Sequence, residues 1–504
     1  MLDADPRSPG DNRLLTPAPR ICRLGFALAA VAIGALYLAD LTGMGMYGPD
    51  EPRYADIGRA MAATGDLVTP RLWGQRWFEK PALLYWMTAA GFKAGLGPDL
   101  APRLPVAILS LLFLVFFWWR LRAEWGTRVA AFAVLMLSTS AGWLAYSHVA
   151  VTDLPMSVFF NCAWLFALPW VLGAEARGGE SRGTETGRAM GLLAAAASLG
   201  LAALAKGLVP LALFAPVLAL PLFDGRRASL RAWFAPWPLI LFLIVALPWY
   251  ILCTIRNGPE FLRVFFLEQH FGRVTSSALQ HVQPWWFYAP VLLVLLFPWF
   301  PLLFSLPAAV RAPEDKKDPR IRTLAAIVIW GFIVFSVAVN KLYGYLLPLL
   351  PAFCTLLAIA LARLKRPGLA LVIPLQLASL LVFAPSIASR ALGSHKLVAA
   401  DFPWLAIGAL LCGAGVIAAL LARWKPSWSF PAAVMLSVAG FLWFQFAAFP
   451  AFDRYASARS LWRAEHPSCA PPGSRNMLYG LYYYAGRQLP GCVLLDPGGI
   501  RGVR

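Results

Sequence analysis

Long apolar runs recur through most of the sequence, Leu24–Leu41, Leu104–Trp119 and Leu239–Thr254 among them. Each is close to the ~20 apolar residues that a helix needs to cross a ~30 Å hydrocarbon layer. Of 504 residues, 59% are hydrophobic and only 14% charged, against roughly a quarter charged in soluble domains. The chain therefore reads as an all-α polytopic membrane protein.

A net charge of +19 invites a nucleic-acid partner. The arginines and lysines, however, sit in short clusters between apolar runs, as orientation signals do, so no such partner is expected. "GMGMYG" at 43–48 matches the dinucleotide G-x-G-x-x-G literally. It follows an apolar helix rather than a strand, so no nucleotide cofactor is expected either. There is no Walker loop, Ser-His-Asp set or metal-ligand helix motif. Most of the seven cysteines lie in or beside apolar runs, where a thiol behaves as a small hydrophobe. Cys469 and Cys492 lie instead in the polar C-terminal segment, where a disulfide would require an oxidising compartment.

Residues 1–23, rich in Pro and Arg, read as a cytosolic tail, so a first span at 24–42 delivers the next segment outside. Parity then turns on Pro81–Gly97. If it crossed, every later basic loop would be inverted; lying along the outer interface, it restores the sign pattern. Tyr85, Trp86 and Lys93 suit such an interfacial belt. The expected spans are 24–42, 104–119, 129–147, 154–173, 189–205, 207–223, 236–254, 285–308, 321–339, 342–361, 368–388, 404–421 and 429–449. The transmembrane body is then 24–449, with outer loops at 43–103 and 255–284 and a short external C-terminal segment at 450–504.

Asp and Glu number only 25, and ionisable groups at a membrane edge default to functional roles. "DEPRYADIGRAMAATGD" describes a short helix with Pro52 at its first position, Gly65 past its end, and Tyr54, Ile57 and Met61 on one face. Asp50 there is either its N-cap or something more. In the same loop, "WFEKPALLYW" sets Glu79 and Lys80 at the start of the interfacial segment. Asp153 precedes a span in "VTDLP"; Lys206 in "ALAKGLVP" reads as an anion-binding or a snorkelling cation. "FLRVFFLEQHFGR" reads as an amphipathic interfacial helix with Arg263, Phe266, His270 and Arg273 along one stripe. "NKLYGYLLPLLP" adds Lys341, Tyr343 and Tyr345 at an external corner. Such charges facing out suggest a site for a phosphorylated lipid. Cleaving a lipid-phosphate–sugar bond builds negative charge that Lys80, Arg273 and Lys206 would stabilise, while a carboxylate orients or deprotonates the acceptor.

"YGPDEPRYADIGRAM…GDLVTPRLWGQRWFEKPALLYW" resembles the first external loop of the lipid A 4-amino-4-deoxy-L-arabinose transferases, which stand with the protein O-mannosyltransferases in the GT-C class. "AVTDLPM", "LAKG", "EQH..R" and "NKLYGYLLPLLP" follow in the family's order. The resemblance implies a GT-C glycosyltransferase fold of about thirteen membrane helices, the number of ~20-residue spans counted above. It also implies an undecaprenyl-phosphate aminosugar donor and a lipid A phosphate acceptor. The setting would be the bacterial inner membrane, with the active site facing the periplasm. Carried over by motif, Asp50 becomes the central carboxylate, and Lys80 and Arg273 hold the donor phosphate with Arg53, Tyr343 and Tyr345 in support. Asp153 and Lys206 would line the cavity, and Glu79 with His270 would match a divalent-metal site for Zn, Mg or Mn. The segment 450–504 is short for the family's external domain, which leaves the acceptor open between lipid A, another envelope glycan and a protein hydroxyl. A transporter of lipid-linked anions is the competing class. It predicts charges at mid-membrane and repeated halves, and neither is evident.

Overall fold

The first apolar run winds into α1 (Arg20–Leu38) and the charged stretch after it into α2 (Asp50–Thr64). The computed structural model describes residues 20–172, 185–223, 231–271, 282–310, 318–364, 429–450, 457–494 and 500–502, with a few single positions between. The spacing of α2 works as expected: Tyr54, Ile57 and Met61 are all buried. Gly65 ends the helix at φ 75°, a left-handed conformation that costs glycine little. The start differs from expectation. Pro49 occupies the cap position without a side-chain cap bond, Asp50 is the first helical residue and Pro52 the third. Asp50 is therefore no N-cap, and its carboxylate turns to Arg53 instead.

A small hairpin, β1 (Arg71–Leu72) and β2 (Gln75–Arg76), leads to α3 (Leu83–Lys93). With 11 residues, α3 is about 16 Å long, half of a ~30 Å hydrocarbon layer. It lies against α2 and against α4 (Leu100–Ser138). Close approach is possible because Gly91 has no side chain: a Cβ there would fall 2.2 Å from the Ala101 carbonyl oxygen. Within Pro81–Gly97 the helix is thus shorter than a span requires. Tyr85 nonetheless departs from its expected place in an interfacial belt, being wholly buried.

α4 is two helices meeting at a kink at Gly126, with φ 80° and ψ 170°, inside the basic stretch 120–128 where the expected spans 104–119 and 129–147 part, and the second helix ends at Ser138. The chain then turns into α5 (Ala141–Ser147), so the expected span 129–147 is two pieces. α6 (Asp153–Leu172), α7 (Glu185–Lys206), α8 (Val209–Phe223) and α9 (Pro236–Asn257) match their expected spans closely. After α10 (Pro259–Leu262), Arg263–Phe271 winds as a π-helix rather than a regular amphipathic helix. The expected span 285–308 is bent by 101° between Trp285–Leu295, which contains α11 (Tyr288–Leu295), and Phe300–Ala309. α12 (Pro319–Val337) follows. A 3-10 segment Tyr343–Leu349 feeds α13 (Leu350–Arg363), which is almost wholly buried at the centre of the bundle. α14 (Ser429–Trp443) is the last long helix.

The expected spans 368–388 and 404–421 lie, but for single positions, outside the described residues. Among the described residues six helices are long and apolar enough to cross a membrane, or seven if the bent pair is one span. The chain is multi-pass, while the expected thirteen spans exceed what these residues establish.

The C-terminal segment contains α15 (Ala458–Glu465), α16 (Arg475–Ala485) and a hairpin of β3 (Cys492–Leu494) with β4 (Ile500–Gly502). A disulfide joins Cys469 to Cys492, the usual supplement where a unit is too small for a large core. The segment is docked on the turn after α1 and on Asp99. Arg459 donates to the carbonyls of Thr42 (2.6 Å) and Gly43 (2.9 Å) and pairs with Asp99 (3.0 Å) and Asp453 (2.7 Å).

Candidate active site

The neighbouring carboxylates Asp50 and Glu51 point about 100° apart on α2, and their fates diverge. Glu51 is fully buried. Arg103 Nε and Nη2 each donate to it at 2.7 Å, and it also accepts the backbone N–H of Tyr47 (2.8 Å) and Ala150 (3.0 Å). The remaining Arg103 donors reach the carbonyls of Leu41 (2.9 Å), Gly45 (2.8 Å) and Met44. This knot ties α2, α4, the 41–47 turn and the 147–152 corner together. Neither residue stands out in the sequence, beyond a lone arginine opening an apolar run.

The Asp50 side chain is 37% exposed. It pairs with Arg53, whose Nη1 also reaches Glu79 at 3.3 Å while its Nε donates to the Pro49 carbonyl at 2.9 Å. The Arg53 guanidinium carbon lies 5.4 Å from the Trp77 ring, 5.4 Å from the Tyr479 ring and 5.9 Å from the Tyr54 ring, inside the range of cation–π attraction. Burial works against its charge, but Glu79 and then Tyr54 and Asp50 outweigh this and hold its pKa above the ordinary value. Tyr85, buried beneath, has its hydroxyl pushed well above the ordinary range by burial and then by Glu79, and so stays protonated. Lys80, next to Glu79, is buried with 9% exposure.

A second arm comes from α6 and α7. Asp153, the first residue of α6, accepts a hydrogen bond from Lys206 at the end of α7 at 2.6 Å. Lys206 Nζ also sits 4.5 Å from the centroid of the Tyr345 ring. A Cβ on Gly344 would fall 2.6 Å from Asp153 Oδ1 and 2.6 Å from the Tyr146 hydroxyl, so only glycine lets the 343–345 corner thread this gap. Tyr343 is 55% exposed and rests on Phe287 at 5.4 Å. Lys341 faces away, donating to the carbonyls of Gln283 and Ala338. The Tyr146 hydroxyl shares that gap, crowding Gly344 from the same side as Asp153. Sitting within an apolar run, Tyr146 gave no signal in the sequence.

Lys206→Met leaves Asp153 partly buried without its partner, and should lower stability by about 1–3 kcal/mol. The double change Lys206→Met with Asp153→Asn should restore most of that loss. Thermal unfolding in detergent of both variants checks it.

Arg273 lies outside the described residues; so does the side chain of His270, whose backbone is in the π-helix. Among the described residues no three His, Cys, Asp or Glu are grouped to hold a metal. Glu79 is already ion-paired with Arg53.

A sequence profile described as dolichyl-phosphate-mannose-protein mannosyltransferase matches residues 24–305. The chain belongs to this family. The matched stretch contains Asp50, Arg53, Glu79, Lys80, Asp153, Lys206, His270 and Arg273, while Tyr343 and Tyr345 lie beyond it. A curated relative from Pseudomonas paraeruginosa, named undecaprenyl phosphate-alpha-4-amino-4-deoxy-L-arabinose arabinosyl transferase, is 33% identical over 350 residues, 68% of this chain and 61% of the relative. One of the same name from Edwardsiella ictaluri is 31% identical over 345 residues, 68% of this chain and 60% of the relative. The chain thus matches about three fifths of the length of these relatives. The crystal structure of ArnT from Cupriavidus metallidurans bound to undecaprenyl phosphate is similar at a TM-score of 0.77 and 27% identity, covering 94% of this chain and 86% of that one. The fold is accordingly the GT-C arrangement of that family, as the resemblance implied.

Proposed function

We propose that the protein is a glycosyltransferase of the bacterial inner membrane. It would move an aminosugar such as 4-amino-4-deoxy-L-arabinose from undecaprenyl phosphate to a phosphate of lipid A or a closely related glycolipid, at the periplasmic face. One observation carries the reading: Arg53 holds the carboxylates of Asp50 and Glu79 together beside buried Lys80 in sequence, and Lys206 holds Asp153 under the Tyr345 ring. Relatives of this name and a similar fold that binds undecaprenyl phosphate support it.

In this mechanism the bond between the anomeric carbon and the donor phosphate oxygen breaks as an acceptor phosphate oxygen bonds to that carbon. The electron pair leaves with the undecaprenyl phosphate, where Lys80 and Arg273 neutralise the growing charge in a water-poor setting. A phosphate monoester has a second pKa near ~6, so the acceptor is already largely ionised at neutral pH. Asp50 then orients the nucleophile or balances its charge, and needs no proton transfer. Asp153 and Lys206 line the pocket beside Tyr345, and Tyr343 extends the wall towards solvent.

Purified protein supplied with the undecaprenyl-phosphate aminosugar and lipid A should release undecaprenyl phosphate and raise the mass of lipid A by one sugar residue. Donor consumption with glycosylated secreted peptides and unmodified lipid A would reassign the acceptor. Absence of release with any donor sugar would defeat the reading.

A further inference from the structure

We propose that Tyr479, in the C-terminal segment, is a positioning residue for this site: its ring holds the Arg53 side chain against Asp50 and Glu79. The segment 457–494 is then a working wall of the pocket. The inference rests on the transferase reading above.

Tyr479 reaches Arg53 from 426 positions further along the chain, and its own position is tightly set. Ser474 Oγ accepts the Met477 N–H to start α16. One side of that helix is then anchored to the first outer loop. The Tyr483 hydroxyl donates to the Pro98 carbonyl at 2.7 Å, and the Tyr484 hydroxyl donates to Asp99 at 2.7 Å and accepts the Met46 N–H at 2.8 Å. The Arg59 guanidinium caps the Tyr483 ring at 4.6 Å. With these two tyrosines fixed, Tyr479 and Tyr482, three residues apart on another face of the helix, fall on Trp73 and Arg53. Tyr482 meets Trp73 edge-on at 5.0 Å, Tyr479 meets Trp73 at 5.5 Å, and Tyr479 also covers Arg53. Trp73 is itself pinned, at φ 47° with its N–H donated to Asp56 at 3.2 Å. Cys469 and Cys492 flank α16 and close it into one loop.

Asp50, Glu79 and the Pro49 carbonyl hold the edges of the Arg53 guanidinium, and Trp77 and Tyr479 pack over it, each at 5.4 Å, so that it cannot swing away from them. If Arg53 tilts, Asp50 loses the partner that sets its orientation, and misplacement of a reacting group by about 1 Å costs as much as 10²-fold in rate. The effect belongs in kcat rather than in donor affinity, because neither ring need touch the donor.

The test is steady-state release of undecaprenyl phosphate by purified variants with the aminosugar donor and lipid A. Tyr479→Leu should lower kcat about tenfold, the scale of a desolvated cation–π contact, with the donor KM within about twofold. Tyr479→Phe keeps the ring and should stay within about twofold of the unaltered protein. In an Arg53→Lys background, Tyr479→Leu should change kcat by less than about twofold, since two residues acting through one contact are not additive. Unaltered turnover by Tyr479→Leu, or equal fractional losses in both backgrounds, would overturn the proposal. Should the leucine variant fail to fold, Cys469→Ser with Cys492→Ser decides: loosening α16 should give the same fall confined to kcat, and unchanged turnover counts against the idea. If the unaltered protein releases no undecaprenyl phosphate, the transferase reading fails and the Tyr479 inference is not what has been refuted.

Discussion

Replacing Asp50 by asparagine should cut sugar transfer by about 10²–10⁴-fold, the range expected when a positioned acid–base or orienting group is removed. Its effect on unfolding should stay below about 1 kcal/mol, because its ion pair with Arg53 is partly exposed and such pairs add little. The buried face of α2, built from Tyr54, Ile57 and Met61, does not involve Asp50. Arg53 would keep Glu79 and its aromatic cage. Turnover and thermal unfolding measured on one detergent preparation give both numbers. A loss below about tenfold would place Asp50 outside the reacting centre and remove the basis for assigning its neighbours.

Arg103→Met should show the opposite profile, with folding rather than chemistry destroyed. Arg103 and Glu51 are both buried, and breaking a buried pair by removing one partner costs about 3–5 kcal/mol. In many proteins, exchanging both partners for apolar residues recovers that loss. Here it should not. Glu51 also satisfies the N–H groups of Tyr47 and Ala150, and Arg103 satisfies the carbonyls of Leu41, Met44 and Gly45. A Glu51→Leu, Arg103→Met double variant would leave all five backbone groups without these partners. It should therefore remain at least about 3 kcal/mol less stable than the unaltered protein, as read by thermal unfolding and by yield from membranes. Recovery of full stability by the double variant would mean the turn at 41–47 does not depend on this knot.

The spans were legible because hydrocarbon imposes length and composition on any crossing helix. The shortness of the apolar stretch Pro81–Gly97 was legible too, and the helix within it has only 11 residues. The face of α2 followed from its spacing. What could not be read depends on long-range partners. Asp50 and Glu51 are chemically alike and adjacent, and only Arg103, 52 positions away from Glu51, makes one of them structural. The bend within 285–309 interrupts a run that remains apolar on both sides. Of the site residues, Asp50, Arg53 and Glu79 are brought together, as are Asp153, Lys206 and Tyr345. Tyr146, beside Asp153, and Tyr479, over Arg53, sit in contexts without any charge to draw notice.

Arg459 grips the turn at Thr42 and Gly43 across more than 400 positions. During synthesis, that early loop must therefore wait, unfinished, until the ribosome has added more than 400 further residues. A chain halted before Arg459 would own Asp50, Arg53 and Glu79, yet lack the clasp that fastens their loop. Competence then arrives with that late segment.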